Sequence, residues 1–214
     1  MEADATVEHE LKFSLVDPPP AAADVVALGA GGPFVFVEAG AANHVDTYFD
    51  DDHGRLARAG WALRTRRPAA GAGTIVATLK GAGDVAGAEH RRVEVEADMA
   101  GDDWPVAVAR RLTEHVALWQ LQPRLTLAVE RTSYRVLHEG RPVAILAFDR
   151  VTARSRAVER SAHFDEAEIE ALGDTAPATL RAIADLVDGL VRLAPSSVTK
   201  LERAAAALEL GSSF

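Results

Sequence analysis

Glu8, Glu10 and Lys12 stand at every second position in the stretch EHELK, with His9 and Leu11 between them. In a β-strand, alternate residues share a face, so two carboxylates and one ammonium project the same way. The pattern recurs. Arg92, Glu94 and Glu96 alternate with Val93 and Val95, and Glu166, Glu168 and Glu170 form a second acidic row. Arg64 and Arg66 share one phase, Arg131 and Arg135 another, and Lys80 closes a run in phase with Thr78 and Val76. A single such face reads as a solvated strand surface, polar outward and apolar inward. Six of them, five with two or more full charges, call for a different arrangement. If they point into a wide barrel, the basic groups require an anion and the carboxylates require cations. A polyphosphate carrying a divalent metal satisfies both demands. Mg²⁺ takes oxygen ligands from a few carboxylates and from substrate phosphates. Arginine grips phosphate oxygens in a two-pronged fork, and lysine acts as a point charge. The chemistry would be attack of water on phosphorus, catalysed by positioning and charge stabilisation.

The elements that must hold these residues follow from alternation and from β-branched and aromatic content. Strands are expected near 6–15, 44–50, 61–67, 74–80, 89–97, 124–138, 142–153 and 163–170. Helices are expected near 22–28, 105–118, 175–193 and 197–208. In the third, Leu180, Ile183, Leu186, Val187, Leu190 and Val191 recur at helical spacing. Asp102 or Asp103 is placed to cap the helix that Trp104 and Pro105 begin, and Ser196 or Ser197 to cap the last one. DPPPAAA (17–23) breaks the chain after the first strand, GAGG (29–32) and AAGAG (69–73) read as loops, and KGAGDVAG (80–87) reads as a glycine-rich turn. That turn lacks the GK[ST] ending and βαβ setting of a phosphate loop. Strand follows strand through most of the chain, which favours an antiparallel sheet or closed barrel over a parallel doubly wound sheet.

Composition narrows the classes. The chain has 214 residues, 48% hydrophobic and 26% charged, with a formal net charge of −9, which argues against broad nucleic-acid or acidic-membrane binding. There are no cysteines, so disulfides, thiolate metal sites and cysteine nucleophiles are excluded. No apolar run is long enough to span a membrane and no secretory signal is evident, so a cytoplasmic location is expected. The histidines form no HxxxH or HExxH pattern for zinc. Ser133 and Tyr134 have no base nearby in sequence, and DDDH (50–53) reads as a charge cluster at a hairpin tip. His9 falls on the face opposite Glu8 and Glu10, which suits packing rather than ligation.

Taken together, these segments resemble the CYTH domain family, the triphosphate tunnel metalloenzymes. EHELK is similar to the family's ExExK signature, and TYFDDDHGRLARAGWALRTRR (47–67) to its YFDT…LRxR segment, with Asp51 where threonine is usual. ATLKG (77–81) resembles its lysine strand, RRVEVE (91–96) its RxExE strand and VERTSYRV (129–136) its arginine strand. AILAFDRVTA (144–153), DEAEIEAL (165–172) and SSVTKLERA (196–204) resemble its remaining motifs, with Thr199 in place of serine. Ile145 stands where relatives often carry glutamate.

The resemblance implies an α+β fold: one domain over 1–214, built as an eight-stranded antiparallel β-barrel that forms a tunnel with flanking α-helices. It implies that Glu8 and Glu10 bind Mg²⁺ or Mn²⁺ with Glu168 and Glu170, while Glu94, Glu96, Asp149 and Glu166 line the acidic side. Lys12, Arg64, Arg66, Lys80, Arg92, Arg131, Lys200 and Arg203 would hold phosphates. Catalysis would fall to Glu8, Glu10, Lys12, Glu168 and Glu170. The expected partner is a small molecule containing a triphosphate, with no nucleic acid or membrane involved and a homodimer left open. The activity implied is hydrolysis of inorganic, nucleoside or thiamine triphosphate. Adenylate cyclisation and non-catalytic polyphosphate binding are the alternatives.

Overall fold

A computed structural model describes residues 5–71 and 73–210. The strands are β1 (Thr6–Leu15), β2 (Phe34–Asp50), β3 (Ala62–Pro68), β4 (Val76–Ala86), β5 (Glu89–Asp98), β6 (Gln122–His138), β7 (Arg141–Ser155), β8 (Val158–Ala171) and the short β9 (Leu193–Pro195). The helices are α1 (Ala22–Ala27), α2 (Arg55–Arg58), α3 (Val106–Leu112), α4 (Pro177–Asp188) and α5 (Lys200–Ala207), with a 3₁₀ turn at Leu118–Gln120. Neighbouring strands run in the order β5-β4-β3-β2-β6-β7-β8-β1. A β1–β5 pairing closes the ring, and β9 adds to β1. Every pairing in the ring is antiparallel. The result is a closed eight-stranded antiparallel barrel with flanking helices. No described helix is long and apolar enough to cross a membrane.

Three apolar clusters hold the barrel. On one side of its outer surface, Leu11, Phe13, Leu146 and Ile169 meet Leu180, Ile183 and Val187 of α4. Burial of each such side chain contributes about 1.5–3 kcal/mol. On the other side, Leu63, Leu79 and Val95 meet Val108 and Leu112 of α3. The third cluster is internal. Leu125, Leu127, Val129, Val151 and Ala153 continue the inward phase of β6 and β7 and pack against Ala204 and Leu208. The apolar face of α5 therefore plugs one end of the barrel.

The expected boundaries differ from the structure where backbone chemistry intervenes. β2 begins ten residues before the expected 44, at Phe34. KGAGDVAG is not a turn. It continues β4 to Ala86 through a bulge between Lys80 and Gly83, and the chain reverses only at Gly87 (φ 62°). A Cβ on Gly83 would lie 1.9 Å from the Arg91 carbonyl oxygen, so only glycine fits there. The loop read at 69–73 includes residue 72, which lies outside the described residues. The helix expected over 105–118 ends at Leu112, and the chain then turns so that Val116 joins Val108 and Leu112. Neither Asp102 nor Asp103 caps it, since Pro105 occupies the N-cap with no side-chain bond. The helix expected to reach 193 stops at Asp188, whose Oδ1 accepts the Leu193 N–H at the start of β9.

The last helix begins at Lys200, and its cap is Thr199 rather than Ser196 or Ser197. Thr199 Oγ1 accepts the Glu202 N–H, and the Glu202 carboxylate accepts the Thr199 N–H. Replacing Thr199 with alanine is expected to cost about 1 kcal/mol, seen as a lowering of the melting temperature by about 2–4 °C. An unchanged melt would show that α5 does not depend on this cap. DDDH is likewise no hairpin-tip cluster. Asp50 and Asp51 are buried and accept backbone N–H bonds from residues 51, 53, 55, 56 and 57, which starts α2.

Candidate functional site

The register of the strands sets the charged residues in rows across the inner wall. Arg131, Asp149 and Glu166 stand side by side on β6, β7 and β8; the next row is Ser133, Ala147 and Glu168, and the next Arg135, Ile145 and Glu170. Across the β8–β1 seam, Glu168 faces Lys12 and Glu170 faces Glu10. Across the β1–β5 seam, Glu8 faces Arg92. Lys80 faces Glu94, and Thr78 faces Glu96. On β2 and β3, Asp46 faces Arg66 and Tyr48 faces Arg64.

These rows enclose a cavity of about 460 Å³. Lys12, Arg64, Arg66 and Lys80 line it, as do Arg92, Arg131 and Lys200. Glu8, Glu94, Glu96, Glu168 and Glu170 complete its charged wall. Glu10, Asp149 and Glu166 lie buried behind that lining. Arg203 is not in the lining itself. Its guanidinium donates to Ser196 Oγ at 2.5 Å, lies over the Phe164 ring and comes within 4.0 Å of Glu166 behind the wall. Arg135 shares the inward phase of Arg131 but is exposed, opposite Ile145. His9 lies on the outer phase and contacts Glu89 at 3.0 Å, in agreement with the packing role expected for it.

Acids and bases pair closely across the wall. Lys80 Nζ donates to both Glu8 oxygens at 2.6 Å. Lys12 Nζ donates to Glu168 at 2.5 Å and lies 3.1 Å from Glu10, and Arg92 donates to Glu10 at 3.2 Å. Arg131 grips Asp149 through Nε and Nη2 at 2.7 and 2.6 Å and reaches Glu168 at 2.5 Å. Lys200 Nζ lies 2.5 Å from Asp149, 2.8 Å from Glu166 and 3.5 Å from Glu168. Burial alone would raise Glu168, but Lys12, Lys200 and Arg131 outweigh it and hold its carboxyl well below the usual range.

Sequence reasoning missed Asp46, which has 0% exposure. Both its oxygens accept from Arg66, at 2.8 Å each, and Oδ2 also from Arg64 at 3.2 Å. Burial would raise this carboxyl, but the Arg66 hydrogen bonds and the Arg64 charge hold it well below its ordinary value. Its signal was available in phase with His44 and Tyr48, but without the register nothing linked it to the arginines. Tyr48, Thr6, Ala62, Thr199 and Leu201 also line the cavity and were not foreseen as site residues.

His44 sits beside Asp46 with no hydrogen bond to its Nε2 among the described residues; the nearest carboxylate oxygen, Asp46 Oδ2, is 3.8 Å away. Burial and then the Arg66 charge push its pKa down to about 4 from 6.5, with Arg131 acting the same way and Asp46 and Asp149 opposing. Between those values the unfolded chain binds the proton that the folded chain excludes. Stability should therefore fall as pH drops from about 6.5 toward 4. Chemical denaturation at a series of pH values should show this slope, and His44→Gln should flatten it. An equal slope in both would assign it to other groups.

One group of acids is arranged differently. Glu170 faces Glu10 across the seam and makes no ion pair or hydrogen bond to another described side chain. Burial, then the charges of Glu8 and Glu10, push it up to about 7. Glu8 is also raised, by burial first, against the pull of Lys80. Among the described residues, the carboxylates whose oxygens all lie within 4.8 Å of one another, a spacing that suits a hard divalent cation, are those of Asp149, Glu166 and Glu168.

Fold and cavity together define an antiparallel tunnel protein, a barrel whose interior is ionic at its centre rather than apolar. The chain belongs to the CYTH domain family, whose model matches residues 8–205. Among solved structures, an adenylyl cyclase candidate from Hippeastrum, described as having a dominant triphosphatase activity, is similar with a TM-score of 0.65. It is 20% identical, over 93% of this chain and 95% of that one. A Bacillus halodurans protein described as an adenylate cyclase candidate gives 0.58 at 17% identity, over 93% and 97% of the two chains. The mimivirus capping enzyme triphosphatase gives 0.53 at 12% identity, over 86% and 87%. At these identities the likeness is one of fold. No curated protein sequence matches the chain significantly.

Proposed function

We propose that this chain is a metal-dependent triphosphatase that cleaves a phosphoanhydride bond of inorganic triphosphate or of an organic triphosphate. The observation that carries this reading is the cavity wall, where seven cationic side chains converge on one space, each already oriented by a carboxylate at 3.2 Å or less. Such a wall suits a linear polyanion. The family assignment and the triphosphatase activity described for the Hippeastrum and mimivirus proteins support the same reading.

In this mechanism Arg64 and Arg66 take phosphate oxygens on one side and Arg131, Lys12 and Lys200 on the other, while Lys80 and Arg92 serve the end nearest Glu8. Because the carboxylates hold these groups in place beforehand, little reorganisation is needed as charge shifts during reaction. Water attacks one phosphorus atom, the bridging P–O bond breaks, and the leaving phosphate takes the bond's electron pair. Glu168 orients Lys12 and Arg131. The acidic side of the wall, Glu8, Glu10 and Glu170 together with the Asp149, Glu166 and Glu168 group, would hold Mg²⁺ or Mn²⁺, which when bound supplies Lewis-acid charge neutralisation.

The test supplies triphosphate, ATP and thiamine triphosphate with Mg²⁺, with Mn²⁺ or with chelator, and measures phosphate and cyclic AMP. Phosphate release that requires the metal is expected. Tight triphosphate binding with no turnover under either metal would sink the enzyme reading in favour of a binding module. Cyclic AMP from ATP would move it to a cyclase.

A further inference from the structure

The rim of the barrel is not level. β3 ends at Pro68, opposite His44, so residues 34–43 of β2 have no strand partner on that side among the described residues, and β2, β6 and β7 extend past it together. The outer face of this extension is covered, since Phe34, Phe36, Tyr134 and Val136 belong to the apolar cluster beneath α4. The inner face is bare. Val35 and Val37 are 51% and 44% exposed, Arg135 is exposed, and Leu137 and Ile145 are half-buried. The apolar face of α5 plugs the opposite end, so this bare face borders the open one.

The strand register carries this face into the charged wall. Val35 is paired with Leu137 and Val37 with Arg135; Arg135 is paired with Ile145, and Ile145 with Glu170, which lines the cavity. We propose that Val35, Val37 and Arg135 form the subsite for the ring of an organic triphosphate, a flat, neutral heteroaromatic group of the nucleobase type, and so select which triphosphate the cavity takes. The inference rests on the triphosphate reading above and adds to it the class of the organic group and the residues that choose it.

Chemistry and spacing choose this occupant. The Arg135 side chain makes no ion pair or hydrogen bond to another described residue, so its guanidinium plane is available to stack on a ring and to donate to acceptors on the ring's edge. A longer phosphate chain would need a row of cations, as in the cavity, but here one cation stands among aliphatic side chains. Those side chains offer a ring an apolar surface and offer a phosphate nothing. The positive charge also favours a neutral ring over a cationic one such as the thiazolium of thiamine triphosphate. Arg135 lies four residues beyond Arg131 on β6, about 13 Å at a rise of about 3.3 Å per residue. A phosphate chain gripped near Arg131 therefore leaves room for a sugar before the ring.

Calorimetry with Mg²⁺ can compare a methylene-bridged ATP analogue with methylene-bridged inorganic triphosphate, so that binding is read without turnover. In the double variant Val37→Ser, Arg135→Lys, the Kd of the ATP analogue should rise about fivefold while that of triphosphate stays within about twofold. Lysine keeps the charge and loses the plane, so a loss confined to the analogue reports the ring contact; Arg135→Lys alone should move it in the same direction. On the natural chain, thiamine triphosphate should compete more weakly than the ATP analogue. An equal change for both ligands, or none for either, would overturn the subsite, as would a natural chain that prefers thiamine triphosphate. So would inorganic tetraphosphate binding that falls in Arg135→Ala and is kept in Arg135→Lys, with the ATP analogue indifferent to both, since Arg135 would then hold a phosphate. No binding of either bridged ligand would overturn the phosphate reading of the cavity, and this inference with it. Ring-dependent binding with no turnover of ATP would sink the triphosphatase reading alone and leave the subsite in place.

Discussion

Asp46→Ala should lower the stability of the chain by about 3 kcal/mol, read as a fall in melting temperature of about 6–12 °C. The side chain is fully buried and is the shared counter-ion of Arg64 and Arg66. Its removal leaves two guanidiniums facing each other on neighbouring positions of one strand face. Both border the cavity, so water can solvate them in part, which keeps the cost at the lower end of the range for a broken buried pair. The same reasoning predicts a second effect. Added triphosphate should raise the melting temperature of Asp46→Ala more than that of the natural chain, since the anion replaces the lost carboxylate. A melt unchanged by the substitution would show that Asp46 does not anchor the arginines. Equal stabilisation of both proteins by triphosphate would remove Arg64 and Arg66 from the binding site.

Glu10→Ala should reduce metal-dependent turnover by a factor of about 10²–10³, the range seen when one group of a preorganised charged site is removed. Glu10 contacts Lys12 at 3.1 Å and Arg92 at 3.2 Å and faces Glu170, so its loss disturbs both the cationic and the acidic neighbours in the wall. Burial would raise its carboxyl, but Lys12, Lys80 and Arg92 outweigh that and keep it ionised. His9→Ala, one residue away on the outer face, is the control. It loses a contact to Glu89 and should leave turnover within a few-fold of the natural chain. The readout is initial phosphate release over a Mg²⁺ titration. If Glu10→Ala turned over normally, or if His9→Ala lost as much, the inward assignment of the EHELK face would be wrong.

The phase of the charged strands was legible because it is local. Glu8/Glu10/Lys12, Arg64/Arg66 and Glu166/Glu168/Glu170 alternate without interruption, and each set faces the interior as its alternation indicates. β2 was legible only in its second half. Phe34 and Phe36 belong to the outer core while His44, Asp46 and Tyr48 belong to the inner wall, although all have even numbers. The register shift between Glu38 and Gly40 (φ 120°) reverses the phase, and alternation cannot be followed through such a bulge. Asp46 escaped notice for a related reason. Its partners lie 18 and 20 residues away, and only the β2–β3 register brings them together. Arg203 stands at the margin of the site: it donates to Ser196 Oγ, lies over Phe164 and reaches within 4.0 Å of Glu166, the carboxylate that Lys200 also contacts, without lining the cavity itself.

The closing seam has a consequence for how the chain reaches its native state. β1 is the first strand in sequence, yet it is hydrogen-bonded to β5 on one side and β8 on the other, so Lys12 meets Glu168 across 156 residues. Pairings of such long sequence separation carry a large loop-closure cost and slow folding to the range of about milliseconds to seconds. Glu10 and Glu170 come to face each other only when that seam zips. A ligand that recognises only the closed form draws the population toward it. During synthesis the edge of β1 that pairs with β8 must also remain open until β8 has emerged, with its alternating charges keeping the waiting edge from joining another chain.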